Sequence, residues 1–86
     1  MKLHILKIAF PFSQYVASGE KSFEFRNNDR DFKVDDLIRF CCPKTKEVFR
    51  DMPVYQIEYI LSKTDFDMVP EGWVIFSIKP LRRQLK

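Results

Sequence analysis

Eighty-six residues suffice for one compact domain with a single core and are too few for two, so one domain spanning residues 1–86 is expected. An apolar content of 45% with nine phenylalanines, only two glycines and five prolines, and no internal repeat exclude a disordered, low-complexity or repeat-built chain. The net charge of +3 arises in residues 79–86, where Lys79, Arg82, Arg83 and Lys86 have no acidic neighbour; the remainder holds eleven basic against twelve acidic residues, so a basic C-terminal tail follows a near-neutral body.

Residues 3–9 alternate loosely and are rich in Leu and Ile, which reads as a first strand. His4 and Lys7 interrupt MKLHILKIAF, leaving an apolar run too short for a signal peptide, and no stretch approaches a membrane span. A cytoplasmic chain with no membrane partner is expected. Pro11 sits where a first helical turn tolerates it, and Phe12, Tyr15 and Val16 follow at helical spacing before Gly19, predicting a short amphipathic helix ended by glycine. Over residues 21–26 the period becomes two. Phe23 and Phe25 share one face, expected in the core; Ser22, Glu24 and Arg26 share the other, expected toward water or a site.

Residues 27–36 form a polar, turn-rich connection interrupted by Phe32 and Val34, and residues 37–42 a third strand. Cys41 and Cys42 point to opposite faces of that strand and cannot bridge without distortion; with no CxxC and no further cysteines, neither a disulfide framework nor a zinc site is indicated. Both are expected reduced and buried, and no metal or cofactor is expected. A charged loop or hairpin over 43–53 leads to a fourth strand over 54–61, with Tyr55, Ile57, Tyr59 and Leu61 on one face and Gln56 and Glu58 on the other. After a loop carrying Asp65, Asp67 and Glu71, residues 73–78 are apolar on both faces and read as a strand buried on both sides. The sum is an α+β domain, a small mixed, mostly antiparallel β-barrel with one early helix.

The stretch SGEKSFEFR crowds Lys21, Glu24 and Arg26 together. Alternation alone accounts for them as the solvated face of a half-buried strand, where ion pairs contribute about 0.2–1 kcal/mol. A site reading has Glu24 holding Arg26 rigid for a phosphate or base edge, with Lys21 a mobile charge at the same rim. His4, the only histidine, reads as a structural hydrogen-bonding residue. Tyr55, Tyr59 and Trp73 could stack on bases, but their strand spacing favours core packing; Trp73, opening its strand after Gly72, is the best stacking candidate.

GEKSFEFR matches the G-x-K-x-x-E-x-R pattern, and the chain resembles the ASCH superfamily (activating signal cointegrator homology), which has a PUA-like β-barrel. HILKI, PFSQYVASGEKSFEFRNNDRDFKVDDLIRF and EYIL followed by EGWVIFSIK resemble a small uncharacterised branch in bacteria and their phages. The resemblance implies RNA or nucleotide binding in a cleft between helix and barrel, with Gly19, Lys21, Glu24 and Arg26 as the signature positions. Asn28, Asp29, Arg30 and Asp31 are then rim residues, and Lys7 faces the same cleft. The chain departs from that branch at Asp35, where relatives tend to have glycine before the aspartate opening the third strand; aspartate tolerates a left-handed turn, so the fold is expected unchanged.

Some ASCH relatives resemble an amidohydrolase acting on acetylated cytidine. Lys21 falls on its lysine, but Glu24 stands where that enzyme has threonine, and a lysine beside a carboxylate is poorly suited to act as a base. Binding without chemistry is therefore expected, with Arg26 recognising an anion or base, Glu24 orienting it and Lys21 adding electrostatic contact. Catalysis on an acetylated nucleoside is the second reading. A third is a small adaptor or phage-encoded inhibitor with a protein partner.

Overall fold

Two edge strands and an inward-facing charge define this architecture. The computed structural model describes residues 1–81, with elements β1 (Leu3–Lys7), α1 (Phe12–Ser18), β2 (Phe23–Asn27), β3 (Leu37–Cys41), β4 (Val54–Ser62) and β5 (Trp73–Leu81). The strands form one curled five-stranded sheet in the order β1-β3-β4-β5-β2, a half-barrel with β1 and β2 at its edges. The β1–β3 pair is parallel and every other pair antiparallel. The basic tail beyond Leu81 lies outside the described residues.

Alternation places the core. Leu6 of β1, Ile38 and Phe40 of β3, Tyr55 and Ile57 of β4, and Val74, Phe76 and Ile78 of β5 are all buried on the concave side. Phe32, from the connection between β2 and β3, joins them and packs between His4 and Phe76, with ring centroids at 4.7 and 4.8 Å. The helix contributes only Val16; Phe12 and Tyr15, expected on the same apolar face, are half-exposed. Gly19 ends the helix in the left-handed region (φ 89°), its N–H bonded to the Val16 carbonyl, a conformation that a side chain would strain. Asp35 adopts φ 77° before β3, the left-handed turn its residue type tolerates.

Three expectations about faces are overturned. In β2, Glu24 is buried, whereas Phe23 and Phe25 are half-exposed on the convex side, so the charged face points inward. Pairing explains why: Glu24 lies opposite buried Phe76, and Phe25 opposite the convex Ile75. In β4, a bulge between Ile57 and Tyr59 adds Glu58, which turns Tyr59 out and Ile60 in; Tyr59 and Leu61 leave the face of Tyr55 and Ile57. Strand β5 is fully buried on one face only, since Trp73 is exposed and Ile75 and Ser77 half-buried. Phe23, Phe25, Trp73, Ile75 and Tyr59 thus share an uncovered convex face, with Phe25 and Trp73 in ring contact at 5.0 Å. Cys41 is buried and Cys42 only half-buried, and both are free thiols.

His4 has a structural partner. Its Nε2 is 2.8 Å from the buried Asp36 carboxylate, which also accepts N–H groups of Lys2 and Lys33 at 2.9 and 3.1 Å. Burial pushes the Asp36 carboxyl up, but these hydrogen bonds and the His4 charge outweigh it and hold it below its ordinary 3.8. A carboxyl depressed by folding stabilises the native state above its unfolded value, and that stabilisation disappears as pH falls through the depressed value. Urea unfolding should therefore show wild-type stability declining below about pH 4, and Asp36→Asn should cost about 1–3 kcal/mol near neutrality with a shallower acid decline.

Candidate functional site

The stretch after α1 is tied down by its backbone before its charges interact. Lys21 N–H bonds the Tyr15 carbonyl at 3.0 Å, and the Ser22 carbonyl accepts Ile78 N–H at 3.0 Å, joining the end of the helix to β5. From there Lys21 Nζ donates to the Phe23 carbonyl at 2.8 Å and to Glu24 Oε2 at 2.6 Å, lying 4.9 Å from the Phe23 ring centre. Arg26 Nε donates to Glu24 Oε1 at 2.9 Å. One buried carboxylate, 4% exposed, is therefore held between two partly exposed cations. Two charge-assisted contacts offset the desolvation that an isolated buried carboxylate would suffer.

Arg26 also reaches across the sheet opening. Its Nη2 donates to the Lys7 carbonyl at 2.8 Å, and Arg30 Nη1 donates to the Ile5 carbonyl at 2.9 Å. Ile5 and Lys7 are two residues apart, so their carbonyls project from the same edge of β1, the edge not paired with β3. The two guanidinium groups thus bridge the seam between β1 and β2. Lys7 enters this arrangement through its backbone oxygen, while its side chain is exposed.

Beside this network, an open cleft of about 810 Å³ lies between the end of α1 and β3, β4 and β5. Val16, Met52, Tyr55 and Ile78 supply an apolar lining, and burial raises the Tyr55 hydroxyl above its ordinary 10.0. The charged residues on the lining are Lys21, Arg39 and Arg50, with no carboxylate among them. Gly19 and Lys21 line the cleft; Glu24, Arg26, Arg30 and Lys7 do not, and Glu24 connects the two groups through Lys21.

Of the extended block, Asn28 Oδ1 accepts Phe32 N–H at 2.8 Å, and Asp31 pairs with Lys33 at 3.3 Å, both local turn contacts. Asp29 is exposed. Trp73 faces the convex side and is absent from the cleft lining. Among the described residues no three His, Cys, Asp or Glu side chains cluster in metal-binding fashion, and no helix is long and apolar enough to cross a membrane. Sequence reasoning missed Arg39 and Arg50. The available signal was Arg39 as the one charge in LIRFC, an otherwise apolar strand.

A family model described as a domain of unknown function (DUF3850) matches residues 3–78. No curated protein matches the chain. Among solved structures, the crystal structure of hypothetical protein PH0355 is similar with a TM-score of 0.61 at 16% identity, over 94% of this chain and 100% of that one. At that identity the likeness concerns the fold alone.

Removing the shared acceptor should be costly. Glu24→Ala leaves Lys21 and Arg26 facing each other, and chemical denaturation should show a loss of about 3 kcal/mol. Arg30→Ala removes a single exposed seam contact and should lose about 1 kcal/mol.

Proposed function

This chain belongs to the DUF3850 family, and from that premise we propose that it is an ASCH-type, PUA-like module that binds RNA or a nucleotide-like anion in the cleft beside α1. The observation that carries this reading is the cleft's charge: Lys21, Arg39 and Arg50 line it without a carboxylate, in a body whose basic and acidic residues otherwise nearly balance. At Arg39 and Arg50 an entering anion displaces no carboxylate of the described residues, whereas Lys21 already pairs with Glu24. The apolar lining around Tyr55 offers a surface for a base, and the volume falls within the range of about 300–1,000 Å³ usual for small-molecule sites.

Within this proposal the G-x-K-x-x-E-x-R residues divide the work. Gly19 lets the chain leave the helix without a side chain over the cleft, and Lys21 presents its charge at the rim. Glu24 and Arg26 hold that rim to the sheet edge. Hydrolysis of an acetylated nucleoside gains no support from the Lys21 geometry, because Nζ is engaged as a donor to Glu24 and to the Phe23 carbonyl.

Fluorescence anisotropy with a short structured RNA and a matched single strand, at low and moderate salt, tests the reading. Wild type should bind with affinity falling steeply as salt rises, and Lys21→Gln should reduce the slope of log affinity against log salt by about one. Absence of binding to either RNA, and to free nucleotides, at low salt would sink it.

A further inference from the structure

Arg39 and Arg50 line the same cleft although eleven positions separate them in the chain. Strand β3 changes partner along its length. Leu37 and Ile38 pair with Gln56 and Tyr55 of β4, whereas Cys41 bridges Val48 in the loop that returns toward β4. That second register is fixed by two hydrogen bonds, Phe49 N–H to the Phe40 carbonyl at 3.0 Å and Cys42 N–H to the Glu47 carbonyl at 2.9 Å. Beyond that bridge the loop turns, with Met52 N–H bonded to the Phe49 carbonyl at 3.1 Å, and Arg50 comes to line the same cleft as Arg39. Like charges gathered on one cleft repel.

Neither guanidinium has an ion-pair partner among the described residues. Asp51, next to Arg50, is exposed and absent from the cleft lining. Arg39 is moreover half-buried, which raises the cost of leaving its charge uncompensated. Both residues line the cleft that Lys21 borders, as do Pro53 and Val54.

We propose that Arg39 and Arg50 form a phosphate grip, and that the cleft takes a nucleotide carrying a terminal phosphomonoester in preference to the corresponding nucleoside. The proposal rests on the nucleotide-binding reading above and names which part of the ligand the cleft selects. Guanidinium groups suit this task because their planar N–H forks match phosphate oxygens, and a dianion relieves the repulsion between two cations in a way one bridging chloride does not. Lys21 supplies a third charge at the rim, and the apolar lining around Tyr55 and Ile78 accommodates the base.

The test is calorimetric titration with the four ribonucleoside 5′-monophosphates and their nucleosides, on wild type, Arg39→Gln and Arg50→Gln, with thermal melting in the presence and absence of inorganic phosphate. At least one monophosphate should bind at least about tenfold more tightly than its nucleoside, and each variant should lose about tenfold for the monophosphate while nucleoside binding is unchanged. Phosphate should raise the wild-type melting temperature more than that of either variant. Without phosphate at low salt, both variants should melt at or above the wild-type temperature, which a pair of structural arginines would not do.

The grip is overturned if both variants bind the monophosphates as wild type does, or if each substitution lowers the melting temperature and phosphate has no differential effect. RNA or nucleotide binding retained by both variants would leave the cleft reading standing while removing the grip. Phosphate stabilisation that requires both arginines, with no binding of nucleotide or RNA, would keep an anion site and remove the nucleotide ligand that the proposal names.

Discussion

The two edges of the curled sheet meet across a seam that arginine side chains bridge. Strand β1 turns the Ile5 and Lys7 carbonyls toward that seam, and Arg30 and Arg26 satisfy them. Side-chain donors span a wider gap than backbone pairing and tolerate more variation in it. A flexible guanidinium would bridge poorly, and Glu24, buried behind the seam, fixes the Arg26 fork at Nε while Nη2 reaches β1. The acid faces inward because the seam needs a rigid donor. The phenylalanines flanking it in β2 are turned outward as a result, and the sheet carries an apolar convex face.

The same carboxylate couples the seam to the cleft. Lys21 is held at the rim by the oxygen that Arg26 leaves free, so the position of a charge near α1 depends on a strand edge on the other side of β2. The basic residues therefore fall into two groups. Arg26 and Arg30 are engaged with backbone carbonyls, whereas Arg39 and Arg50 have no internal counter-ion among the described residues. Compensated charges maintain shape, and uncompensated ones are available to a ligand.

Element types and order were legible because strands and helix obey different periods, and each of the six elements lies where its pattern placed it, with ends displaced by a few residues. Faces were less legible. Alternation in FEFRN says that Phe and Glu point oppositely, but it does not say which side is concave, and the usual preference for buried phenylalanine gave way to the seam's need for a fixed arginine. A bulge has no dependable sequence signal, so β4 reads as one regular strand until its pairing is known. The Lys21–Glu24–Arg26 group was readable because its members lie close in sequence. Arg39 and Arg50 were not, since only the change of partner along β3 brings residues eleven apart onto one cleft.

The bulge in β4 also bears on how this chain tolerates changes of length. Glu58 is the additional residue there, exposed, with Ile57 facing Ile78 before it and Tyr59 facing Ser77 after it. Losing one residue elsewhere in a regular strand inverts every side chain beyond that point. Losing Glu58 would restore unbroken alternation and leave Tyr55, Ile57 and Ile60 on the concave side, Tyr59 and Leu61 on the convex. Position 58 is thus where β4 can shorten by one codon without turning the core inside out, at the expense only of the local bend.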